Sequence, residues 1–161
     1  ENPKEAVCQV FEKVNTGGVS LTVFELLTAS FASEEFDLKA DWEDIKKIIK
    51  PFKVLNNISN TDIIQAITLY STYKNRLNVS PLGNSENAPA VSAKRKEMLN
   101  LKLSDYEKYR NEIVRGFIKA SKILVENHIF NARDLPYSTQ LVPMSAILAK
   151  LGDKIENIGK Y

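Results

Sequence analysis

The side chains that carry most enzymatic chemistry are scarce in this 161-residue chain, which holds one cysteine, Cys8, and one histidine, His128. Structural zinc takes about four Cys or His ligands and a disulfide takes a pair, so zinc modules and disulfide scaffolds are excluded. A Ser-His-Asp triad would have to use His128, as would an HNH nuclease, whose metal-bound chemistry normally takes more than one imidazole, and neither is supported. Two other groupings have the right residue types for chemistry. Asn15-Thr16-Gly17-Gly18 offers bare backbone amides and a hydroxyl to a phosphate, because missing side chains permit close approach. Its spacing matches neither the Walker loop nor the dinucleotide fingerprint, and a helix stop explains the same residues. Asp37-Leu38-Lys39 has the order of the second half of a metal-nuclease signature, an acid for magnesium followed by a lysine that assists water. No second carboxylate on a rigid element accompanies it, so the triplet reads as a solvated link between helices.

The remaining candidates are cations. Lys and Arg total 22 against 20 Asp and Glu, a formal +2, which is too balanced for a polyanion binder that works by bulk charge. A nucleic-acid contact must therefore be a local patch. Lys108, Arg115, Lys119 and Lys122 are spaced to share one side of a helix, with Glu112 and Glu126 among them. That stripe suits DNA phosphates, but its interspersed acids favour reading it as a solvated face stapled by i, i+4 pairs. Lys94-Arg95-Lys96 is a second phosphate-contact candidate under the same two readings. His128 is placed to interact with the negative end of a helix, and Trp42 reads as core rather than as a platform for stacked bases. No residue is assigned to catalysis or to a metal.

These residues need helices to position them. Hydrophobic and charged fractions of 43% and 26% are those of a globular protein, and the length suits one compact domain burying roughly 70% of its unfolded surface. Ala6, Val7, Val10, Phe11 and Val14 set a first helix from Pro3, reversed by the Asn-Thr-Gly-Gly turn. Thr22 and Glu25 have capping-box spacing, and the second helix runs to about Ala32. A third is predicted from Asp41 to Lys50, ended by Pro51, and a fourth, capped by Asn60 or Thr61, to near Asn78. Ser, Pro, Gly, Asn and Ala over 79–92 mark a flexible surface loop. A short helix follows over Lys94–Leu101, then a long one over Asp105–Asn127 with Ser104 and Glu107 as its capping box. Pro136 disfavours helix at Leu135 in a fixed connection where Tyr137 is expected to pack, and Leu141–Leu151 is the last helix, stopped by Gly152. No alternation of period two persists, so the class is all-α, an irregular bundle of six or seven helices. With no leader and no apolar run approaching roughly 18 residues, the expectation is a cytoplasmic protein, or an excised piece of one.

The run Phe11-Glu12-Lys13-Val14-Asn15-Thr16-Gly17-Gly18-Val19-Ser20-Leu21, with Glu25-Leu26 and Ala29 after it, resembles a motif of the GmrSD-type restriction endonucleases. In that family the stretch closes a ParB-like, sulfiredoxin-like N-terminal domain credited with nucleotide hydrolysis coupled to DNA cleavage, and a helical region follows. Lys96 to Leu103, Ser104-Asp105-Tyr106, Leu135-Pro136-Tyr137 and Gln140-Leu141-Val142-Pro143 are similar to that helical region. The resemblance thus implies the tail of a ParB-like domain over 1–33 and a helical domain over 34–161. The family's Asp-Gly-Gln-Gln-Arg signature and its HNH motif do not occur here. What is implied is an internal helical fragment of a phage-defence enzyme, inactive alone, with nucleoside triphosphate and a divalent metal belonging to the whole protein. Its partners would be the remainder of its own chain and duplex DNA, with no membrane involved. Asn15, Thr16, Gly17 and Gly18 take a place near the family's nucleotide pocket. The alternative is a stand-alone helical protein-interaction module.

Overall fold

A computed structural model describes residues 21–80 and 87–152, and it is all-α, with no strand among the described residues. Six α-helices run in order: α1 (Val23–Ala32), α2 (Leu38–Ile49), α3 (Asn60–Val79), α4 (Arg95–Leu99), α5 (Leu103–Glu126) and α6 (Leu141–Leu151). Single 3₁₀ turns at Lys53–Leu55, Ala132–Asp134 and Ser138–Gln140 fill the connections. The helix predicted from Pro3 to Val14 and the Asn15–Gly18 turn lie outside the described residues.

Local chemistry sets most boundaries. The Thr22 hydroxyl accepts from the Glu25 N–H at 3.2 Å while the Thr22 N–H donates to the Glu25 carboxylate at 2.7 Å, so the expected capping box starts α1. These hydrogen bonds hold the Glu25 carboxyl below its usual range. α2 begins three residues before Asp41, because the Asp37 carboxylate accepts from the Lys39 and Ala40 N–H groups, both at 3.0 Å. Asp37 is thus a helix cap. α3 is capped by Ser59, which pairs reciprocally with Asp62, and neither Asn60 nor Thr61 takes that part. The Ser104–Glu107 box does not form: α5 starts at Leu103, behind Lys102, with no side-chain cap. Leu101 and Leu103 are both buried, and carrying Leu103 inward on a helical turn outweighs a cap worth about 1 kcal/mol. The short helix is trimmed to Arg95–Leu99. Tyr137 is 74% exposed and does not pack in its connection, although Leu135 is extended and buried as Pro136 requires.

Two helix ends close without glycine. Beyond α1 the Phe36 N–H donates to the Phe31 carbonyl at 3.1 Å and the Glu35 N–H to the Ala32 carbonyl, with Glu35 at φ 63°. Beyond α5 the Ile129 N–H donates to the Leu124 carbonyl at 2.9 Å and the His128 N–H to the Val125 carbonyl, with His128 at φ 64°. Both are Schellman closures, the first sealed by an edge-on contact between the Phe31 and Phe36 rings at 6.1 Å.

One hydrophobic cluster joins the helices. Phe31 and Leu27 of α1, Ile45 of α2, Ile67 of α3, and Ile113 and Phe117 of α5 are all fully buried in it. α1 therefore shares its core with the later helices. Trp42 packs against the cluster from its edge. α6 lies along α5 so closely that a Cβ on Gly116 would stand 2.2 Å from the Ser145 carbonyl oxygen and 3.3 Å from the Ala149 nitrogen. Within the 79–92 segment, the Arg76 guanidinium donates to the Ala88 and Pro89 carbonyls, and Thr72 exchanges hydrogen bonds with the Ser92 backbone, so residues 88–92 are pinned to α3. Among the described residues no helix is long and apolar enough to cross a membrane.

Candidate functional site

The long helix has two chemically distinct faces. Tyr106, Tyr109, Ile113, Phe117 and Ala120 step by three and four residues and are all buried, as their spacing requires. Rotated away from them, Lys108, Arg115 and Lys122 are exposed and Lys119 is half-buried. The stripe spans roughly 21 Å along the helix at 1.5 Å per residue.

Beside the stripe, tyrosines from two helices make a ladder. The Tyr109 ring meets Tyr70 of α3 edge-on with centroids 5.2 Å apart, and Tyr70 lies 6.5 Å from Tyr73. Each ring carries a lysine ammonium over it: Lys108 at 5.2 Å from Tyr109, Lys74 at 5.0 Å from Tyr70, and Lys150 of α6 at 4.4 Å from Tyr73. Burial and then a hydrogen bond to the Glu112 carboxylate push the Tyr70 hydroxyl well above the ordinary tyrosine range. The Tyr73 hydroxyl is buried with no hydrogen-bond partner.

A cleft of about 440 Å³ opens at this junction, lined among others by Tyr70, Glu112, Arg115, Lys119 and Lys150. Among the described residues three cations and one carboxylate line it, and that carboxylate already accepts a hydrogen bond from Tyr70. Lys74 and Lys150 escape a reading based on one helix at a time, because they come from α3 and α6 and meet the α5 stripe only through packing.

The other candidates fall elsewhere. Lys94, Arg95 and Lys96 are exposed at the start of α4, where the Arg95 guanidinium donates to the Leu21 carbonyl at 3.2 Å. α4 packs against α1 and α3, whereas the stripe flanks α6, so the two basic groups belong to different parts of the bundle. Asn15, Thr16, Gly17 and Gly18 lie outside the described residues. His128 is exposed and forms the turn beyond α5.

Two polar arrangements went unread in the sequence. The Asp41 carboxylate of α2 accepts from the Tyr106 hydroxyl at 2.5 Å and pairs with both sides of the Arg110 guanidinium, at 3.1 and 2.9 Å. Burial, followed by the bond to Asp41, drives the Tyr106 hydroxyl far upward. A second cavity of about 330 Å³ between α3, α4 and α5 holds the Ser71 hydroxyl, which donates to Asp105 at 2.8 Å, and a buried Glu97 Oε2 with no hydrogen-bond partner. Among the described residues no three His, Cys, Asp or Glu side chains gather as a metal-ligating group. Comparison with protein-family models, curated proteins and solved structures finds no match for this chain.

Proposed function

We propose that this helical region holds DNA within a modification-dependent restriction endonuclease of the GmrSD type, a phage-defence enzyme whose nucleotide-hydrolysing and HNH centres lie in its other parts. The observation that carries the reading is the cationic face of α5, continued onto α6 by Lys150. The Phe11–Leu21 run and the later helical motifs supply the family context. In this reading the whole enzyme uses a nucleoside triphosphate and a divalent metal in the bacterial cytoplasm, where it meets invading DNA, and the present residues supply phosphate contacts.

Titration of labelled duplex DNA by fluorescence anisotropy at two salt concentrations tests it. Four phosphate contacts give a log-log salt slope of about −3.6, so raising salt fourfold should weaken binding roughly 10²-fold. No binding at the lower salt would overturn the reading and leave a helical protein-interaction module in its place.

A further inference from the structure

The cleft between α3, α5 and α6 gathers charge that no single element supplies. Arg115 and Lys119 reach it from α5 and Lys150 from α6, with Lys74 of α3 on the neighbouring tyrosine. Surface cations are usually spent on carboxylates, yet the exposed Lys150 and the half-buried Lys74 rest on ring faces instead. Attraction of a solvent-reached ammonium to a ring face is weaker than a charge-assisted hydrogen bond to a phosphoryl oxygen, so these ammonium groups can turn toward an anion. Arg115 has no ion-pair partner among the described residues, and its planar fork matches the oxygens of a phosphoryl group.

The backbones that carry two of these cations, Arg115 and Lys150, are seated on each other. Arg115 precedes Gly116 and Lys150 follows Ala149, and Gly116 packs on the α6 backbone, where an added Cβ would stand 2.2 Å from the Ser145 carbonyl oxygen and 3.3 Å from the Ala149 nitrogen. The main-chain anchors of both cations are thereby held together from two helices, which lowers the ordering cost of closing on a shared ligand. The cleft, about 440 Å³, has room for a phosphoryl group and water.

We propose that this cleft is a phosphate site in which Arg115 and Lys150 grip one phosphoryl group between them, and that the group is a phosphodiester of the DNA backbone. The second half of the statement rests on the DNA-holding reading above. The first half stands on the cleft alone, since free phosphate presents the same oxygens.

The test is a salt series of duplex-DNA titrations on the full chain carrying Arg115→Gln, Lys150→Gln or both, beside an NMR titration with inorganic phosphate. If two cations share one phosphate, each single change should shorten the salt slope by about one and weaken binding roughly tenfold, and the double variant should add little more. Lys150→Arg should restore binding, and an unchanged melting temperature shows that the variants fold. Inorganic phosphate should shift the Gly116 and Lys150 amides.

Unchanged slopes in DNA-binding variants would overturn the shared site while leaving the DNA-holding reading intact, and so would slopes that shorten independently and sum. Phosphate-dependent shifts with unaffected DNA slopes would assign the cleft to free phosphate and overturn the DNA source. DNA binding absent even at low salt would remove the DNA-holding reading and the phosphodiester with it, and the NMR titration would then decide the cleft separately.

Discussion

Glu35 and His128 occupy left-handed backbone where a side chain costs energy and glycine does not. Replacing either by glycine relieves that cost but gives the unfolded chain more freedom, so the net gain should be about 0.5–1 kcal/mol. Urea unfolding of His128→Gly and Glu35→Gly checks this, with His128→Val expected to lose stability because a β-branched side chain tolerates that region least. Neither closure was legible in the sequence, since glycine is the usual signal and both positions lack it. The hydroxyl of Tyr73 is a second single-residue case. It is buried without a partner, so Tyr73→Phe should leave thermal stability unchanged or raise it, whereas a hydroxyl with a partner would cost about 1 kcal/mol to remove.

Between elements, the contact of α5 with α6 is the tightest constraint. Gly116→Ala would gain up to about 1 kcal/mol in helix propensity. It would also drive a methyl group against the Ser145 carbonyl, and overpacking of this kind costs about 1–3 kcal/mol. The oxygen belongs to the backbone and cannot swing aside, so a net loss of about 1–2 kcal/mol is expected, read as a lower urea midpoint. At this scale the sequence was informative where signals are local. Thr22 with Glu25, Pro143 in the first turn of α6 and Gly152 after its end all do what their positions suggest. Ser104 with Glu107 has the same spacing as Thr22 with Glu25, and there the burial of Leu103 won. The four-residue stripe on α5 was legible from periodicity, while Lys74 and Lys150 were not, because proximity across helices leaves no mark in spacing along one.

For the molecule as a whole, the Asp41–Arg110–Tyr106 arrangement ties α2 to α5 across the edge of the core. Tyr106 and Tyr70 both have their hydroxyl pKa raised by burial first and then by a carboxylate. A proton held more tightly in the folded state gives stability that is complete below the unfolded tyrosine value of about 10 and is lost as pH rises beyond it. Stability should therefore be level through neutrality with respect to these groups and fall in alkali, and tyrosinate absorbance should show two late-ionising hydroxyls that appear only as the chain unfolds. Tyr106→Phe should flatten part of that alkaline fall. The all-α class was readable from the apolar period alone, because helix–helix packing needs only a continuous stripe on each segment.

The missing side chain at position 116 has a mechanical corollary. Where the two rods meet main chain on main chain there is no side chain to yield between them. A displacement of α6 at Ser145 is therefore passed directly to α5, whose Arg110 is in turn tied to Asp41 of α2.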